Sequence, residues 1–354
     1  MKEKKDCLNL AHKIIKSKIP SVQEQYTYYN PIGQDIYNLA IEINNEIITI
    51  HDVALFNVFN DIDFYAVVEL VPMWLRNAGH SGESCMSKEV FERLVKLNNN
   101  QLTNKFLYYH DLEALINSVQ NRFSIITDMI DRLYIYLSPT LVYKIQDYDE
   151  VIFTRDFQVH AILNTIIVNT LSCCDILTKL CFELDNIQNI SYVNYPKSKS
   201  KDILYSQSKK LPEELKKDNT LFSQPTPNVV RQFESLRNEI IHNGTLDFDY
   251  SIYYGNKGED IYTWIFFPDF NESGVLLTYN ARRKFYSDAS KTFNTILPLM
   301  LREFMKLSLN TLTLIKHTYY VDYFESAEDR VKYLKEIHNW YKTYADILKT
   351  TSVS

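Results

Sequence analysis

The sequence predicts a mostly α-helical protein: a four-helix bundle with an N-terminal helical extension and a small β-hairpin insertion. Three observations predict it. Gly is scarce, at 7 of 354 residues, and a β-rich chain needs many tight turns that Gly supplies. Four long stretches repeat apolar residues at helical spacing. A single stretch, SIYYGNKGEDIYTWIFF, has the pattern of a hairpin.

The elements follow in chain order. In the first 110 residues, apolar residues recur at helical spacing over 8–17 and 86–97, and less cleanly over 33–48. IEINNEIITI (41–50) also suits a hairpin turning at Asn44-Asn45. LNNNQLTN (97–104) reads as a loop and marks a boundary. The four long helices are expected over roughly 110–137, 157–185, 227–243 and 280–318. The first of these aligns Leu112, Leu115, Ile116, Val119 and Phe123 on one face. The hairpin is expected to turn at Gly255–Gly258, inside an insertion over about 247–278. The division expected is an N-terminal helical region (1–110), a bundle (111–320) and a C-terminal helix (321–354).

Composition narrows the function classes. Hydrophobic residues are 45% and charged residues 23%, which is globular composition. Tyr (26) and Phe (19) are abundant, so large side chains fill the core. The net charge of −6 excludes a strongly basic nucleic-acid coat, but not a local binding patch. The five cysteines, Cys7, Cys85, Cys173, Cys174 and Cys181, form no CxxC pair and lack metal-site spacing. With the charged opening MKEKKDCLNL, too polar for a secretory signal, they are expected to be reduced thiols in a cytoplasmic protein. The apolar stretch 161–182 is interrupted by Asn164, Asn169, Asp175 and Lys179, so no membrane span is expected there.

The third long helix carries the chemistry. Thr226 suits the cap and Pro227 the first helical position. Asn243-Gly244 is a stop signal. At about 100° per residue, Val229, Phe233, Leu236 and Ile240 form a core stripe. Arg231, Glu234, Asn238 and His242 lie opposite. Arg237 sits at the margin beside Val230 and Ile241, where its stem can lie on the apolar edge while its guanidinium swings to the polar side. Arg237 and His242 are then expected to converge, with Asn238 between them.

That trio suits a phosphodiester. His moves a proton near neutral pH. Arg binds phosphate through paired hydrogen bonds and stabilises charge on it. Asn both donates and accepts, so it orients either group. No carboxylate cluster for Mg²⁺ accompanies them, and no metal or other cofactor is expected. The same residues also fit an ordinary wet helix face, with Glu234–Arg237 an i,i+3 ion pair and His242 a favourable C-terminal cation.

Arg237, Asn238 and His242, in LRNEIIHNG near a helix end, resemble the motif of the HEPN superfamily (higher eukaryotes and prokaryotes nucleotide-binding). That pattern is Arg, four to six residues, then His, often with a polar residue directly after Arg. The resemblance covers about residues 110–320 and implies an all-α bundle that forms a homodimer, with two motifs facing each other in one composite site. It implies a metal-independent endoribonuclease of a toxin or antiphage defence system. RNA, such as tRNA or another single-stranded loop, is the implied substrate, and an antitoxin or activator protein a further partner. The alternative is a non-catalytic helical module that binds a protein or a nucleotide.

RDFQVH (Arg155–His160) fits the same short pattern as a second segment, or is a surface pair at a helix start. Glu234, and Asp175 or Asn164 on the second long helix, are candidates to support His242, with a solvated face as the alternative. The connection after that helix offers Lys197, Lys199, Lys201, Lys209 and Lys210 for RNA phosphates, with Tyr195 and Tyr205 to stack on bases. A solvated linker explains them equally. Arg282, Arg283 and Lys284 are expected to start the fourth long helix, where cations oppose its dipole and hint at an acidic partner or ligand.

Overall fold

The computed structural model describes residues 31–59, 101–137, 152–155, 157–187, 203–244, 251–257, 260–278 and 291–319, with Glu89. These residues are mostly helical, as the sequence predicts. The elements are α1 (Pro31–Phe59), α2 (Gln101–Tyr136), β1 (Ile152–Arg155), α3 (Phe157–Asn186), α4 (Asn228–His242), β2 (Ser251–Lys257), β3 (Asp260–Trp264) and α5 (Phe293–Tyr319). Two short 3-10 turns, Tyr205–Lys210 and Glu213–Lys216, lie between α3 and α4. The stretches 8–17 and 321–354, and most of 86–97, lie outside the described residues.

Each helix forms because its apolar residues repeat every three or four positions. In α1 the buried series is Ile36, Leu39, Ile43, Ile47, Ile50, Ala54 and Val58. This series runs unbroken through Asn44-Asn45, so the hairpin alternative at 41–50 is wrong. Burial of Ile43 and Ile47 on one stripe outweighs the turn propensity of the two asparagines. α2 begins nine residues before the expected start, taking in 101–104 from the expected asparagine loop. Its predicted face, Leu112, Leu115, Ile116, Val119 and Phe123, is buried.

α3 matches its expected span and buries Leu163, Ile166, Cys173, Cys174, Leu177 and Cys181. By length and composition alone it is apolar enough to cross a membrane, so its polar interruptions are a weaker signal than the sequence reading made them. In the fold, 61% of its most apolar window is buried inside the protein, as in the core helix of a globular domain.

The largest correction concerns α5. It starts at Phe293 rather than near 280. Thr292 pairs with Phe266 as an isolated bridge, so the chain just before the helix belongs to the β-layer. Arg282, Arg283 and Lys284 lie outside the described residues and do not start α5. Asn294 fastens the junction. Its Nδ2 donates to Thr263 O at 2.9 Å, and its Oδ1 accepts from Ile265 N–H at 3.2 Å. Tyr134 OH of α2 donates to Asn294 O, and Thr263 Oγ1 donates to Leu137 O.

The hairpin is present and carries a third strand that the sequence did not announce. β1 pairs antiparallel with β2, and β2 with β3, in the order β1-β2-β3. The β2–β3 ladder closes at Lys257↔Asp260, and Gly255 pairs with Tyr262 inside it. Gly255 is therefore a strand residue and not part of the turn. Tyr253 stacks on Trp264 with centroids 5.9 Å apart and meets Phe266 edge-on at 4.7 Å.

The chain groups into two compact units, each assembled from three separated stretches. The first holds 1–44, 121–174 and 216–311. Its core joins α2, α4 and α5 through Phe304, whose ring lies 6.4 Å from Phe123 and 5.8 Å from Phe233. Arg122 of α2 donates to Asn169 of α3 at 2.5 Å. The second holds 45–120, 175–215 and 312–354. There, Tyr108 OH donates to Glu183 O at 2.6 Å, and Lys316 meets the Glu46 carboxylate at 3.0 Å.

Candidate functional site

α4 is strongly amphipathic. Val229, Val230, Phe233 and Leu236 are buried, and Phe233 anchors the helix on Phe304. Ile240 of the expected core stripe is only half-buried, and Ile241 is exposed. The helix starts at Asn228, one residue later than expected. Pro227 is the cap residue, no side chain caps the helix, and the Val230 and Arg231 N–H groups both bond to Pro227 O. Thr226 therefore does not cap. At the other end Asn243 keeps a right-handed conformation, and Gly244 alone turns left-handed at φ +107°.

The motif residues lie in the first unit. Arg237 Nη1 donates to Asn238 Oδ1 at 3.4 Å, and both side chains are half-buried. His242 is exposed in the last turn. α4 stays α-helical to His242, and five residues then set Arg237 and His242 about 140° apart around the axis. Among the described residues no hydrogen bond joins them, and the Arg237 guanidinium turns to Asn238. No ion pair joins exposed Glu234 to Arg237 either, which removes the salt-bridge reading of that spacing.

The structure adds two partners that the sequence reading missed. One is Glu239. It is buried at 9% exposure although it lies outside the expected core stripe. Its Oε2 accepts from Asn243 Nδ2 at 2.6 Å, while Oε1 is buried without a hydrogen-bond partner. The other is the loop from Asp269 to Leu277. Asn271 Oδ1 folds it by accepting from the N–H groups of Ser273 and Val275 and from Ser273 Oγ. Gly274, at φ +80°, lies against the start of α4, where a β-carbon would stand 2.5 Å from Asn228 Oδ1. Leu276 N–H then donates to Ser235 Oγ at 3.1 Å. Asn228, Arg231 and Ser235 share a side of the helix with Asn238, Glu239 and His242, within about 100° by helical spacing. The loop thus covers the first half of the stripe whose last turns carry Asn238, Glu239 and His242.

The remaining candidates are placed as follows. Arg155 ends β1, paired with Ser251, and half-buried His160 lies in the first turn of α3. RDFQVH is thus a strand-to-helix junction, unlike the helix-end placement of the first motif. Asn164 Oδ1 is buried without a hydrogen-bond partner. Asp175 belongs to the second unit, where its Oδ1 accepts from Tyr205 N–H at 2.8 Å and holds the first 3-10 turn. Tyr205 is buried, so its ring is not a platform for stacking a base. Lys209 and Lys210 are exposed at the end of that turn. Tyr195, Lys197, Lys199 and Lys201 lie outside the described residues.

No protein-family model, no curated protein and no solved structure matches the chain.

Proposed function

We propose that this chain is a metal-independent endoribonuclease of the HEPN type, acting as a toxin or antiphage effector. One observation carries the reading. A helix docked by its apolar stripe ends in an exposed histidine, one turn beyond a hydrogen-bonded Arg-Asn pair. In the reaction a substrate 2′-OH attacks the adjacent phosphorus, and the bond to the 5′-oxygen breaks. His242 takes the proton from the 2′-OH or gives one to the leaving 5′-oxygen. Arg237 holds the phosphate and stabilises the added charge on its oxygens, with Asn238 orienting the guanidinium. The products carry a 2′,3′-cyclic phosphate and a 5′-OH. The wide angle between Arg237 and His242 suits a site completed by a second copy, in which Arg237 of one motif faces His242 of the other.

That same angle favours a second reading, a non-catalytic helical module that binds a protein or nucleotide. One gel separates the two. Purified protein is incubated with total RNA and with tRNA in excess EDTA. Cleavage that falls about 10²–10⁴-fold in His242→Ala supports the nuclease. Wild-type cleavage by that variant, or strict Mg²⁺ dependence, refutes it. Parallel His160→Ala tests whether RDFQVH contributes.

A further inference from the structure

Glu239 stands in the motif segment and has no place in the chemistry above. Three features count against its being there for stability. The residue is nine-tenths buried, and taking a carboxyl group out of water costs free energy unless its hydrogen bonds are replaced. One oxygen, Oε1, has no hydrogen-bond partner, so a buried acceptor is left unmet. It also sits in the last turn of α4, where a negative charge opposes the helix dipole.

What Glu239 does make is specific. Its side chain accepts from Asn243 Nδ2 at 2.6 Å, and its backbone carbonyl accepts from Asn243 N–H at 3.0 Å. Two bonds therefore grip the residue that follows His242. Gly244 follows, with no atom within 4 Å of its β-carbon position. His242, in the last turn of the helix, lies between the two residues that these bonds join.

We infer that Glu239 is a positioning residue for His242, acting through Asn243 and held at a cost to folding stability. The inference rests on the nuclease reading, and it makes a prediction that a structural role does not. Glu239→Met removes the unmet oxygen and the buried carboxyl group while filling the space. A residue present for folding loses stability on that change. A residue present for function keeps or gains it and loses activity.

The experiment uses the full chain, with kcat and KM for RNA cleavage, melting temperature, and the His242 ring signals by NMR. Glu239→Met is expected to melt at or above wild type, with KM kept and kcat down about 10²-fold, the scale of a small misplacement of a reacting group. Asn243→Ala is expected to show the same fall, and the double variant no further one. Glu239→Gln, whose carbonyl oxygen can still accept from Asn243, is expected to recover most of kcat. A lower melting temperature in Glu239→Met, or an unchanged kcat, overturns the inference. If the wild type cleaves no RNA, the nuclease reading fails separately. The His242 signals then decide the positioning role: a shift in Glu239→Met that Glu239→Gln lacks upholds it, and unmoved signals overturn it.

Discussion

Phe304→Ala is the sharpest test of how the motif helix is held. Phe304 is fully buried, and its ring is packed against Phe123 at 6.4 Å and Phe233 at 5.8 Å, so it touches α2 and α4 at once. Removing a buried Phe ring costs about 3–5 kcal/mol in transfer and cavity terms. The edge-on pair with Phe233 adds about 0.5–1.5 kcal/mol beyond burial. The expected loss is about 4–5 kcal/mol, a large share of the roughly 5–15 kcal/mol by which domains are stable. Urea unfolding followed by circular dichroism measures it. With m of about 3 kcal/mol/M, the midpoint should fall by about 1.5 M at unchanged m. Phe233→Ala and the double variant complete a cycle whose coupling should be about 0.5–1.5 kcal/mol. Phe157→Ala is the control, because Phe157 is 79% exposed and should stay within about 0.5 kcal/mol of wild type. A loss under about 2 kcal/mol for Phe304→Ala, or no coupling to Phe233, would refute this account of the core.

Two further outcomes are expected. Gly274→Ala should destabilise the protein by more than about 1 kcal/mol, because its φ of +80° strains a side chain and a β-carbon would stand 3.0 Å from Asn228 O and 3.1 Å from Arg231 Cβ; Gly244→Ala meets only the φ penalty, and equal melting temperatures for the two would contradict the packing described. Burial pushes the thiols of Cys173 and Cys181 well above the ordinary range, so they should not react with a thiol reagent at neutral pH until the protein is unfolded, and rapid modification of the native protein would show that α3 is not buried as described.

The sequence was most legible where one signal acted alone. The bounds of α3 and α4 followed from apolar spacing and the Asn-Gly stop, and no tertiary contact competed. The start of α5 was misread because 280–292 continues a helix-like pattern, whereas Thr292 and Asn294 are claimed by long-range bonds to Phe266, Thr263 and Ile265. Short β1 gave no warning, since four residues cannot show a period. At the site, Arg237, Asn238 and His242 were visible as residue types at a spacing. Glu239 was not, because a helical glutamate reads as wet unless the covering segment is known. Its spacing of four from Asn243 was the only local clue. Tyr205 failed in the opposite sense: among lysines it looked available to a base, but the Asp175 carboxylate fastens its backbone and its ring is buried.

The loop from Asp269 to Leu277 has a consequence for how anything reaches α4. It lies along the helix from Asn228 to Ser235, and Phe233 on the opposite side is committed to the core. Only the tip, from Ile241 to Gly244, is exposed as a continuous run. Ile241 and His242 rise about 1.5 Å each and Asn243 and Gly244 reach at most about 3.5 Å each, so the run spans no more than about 10 Å, far less than the footprint of a duplex. On the nuclease reading proposed above, that run suits one linkage of a kinked or looped strand rather than the length of a straight duplex.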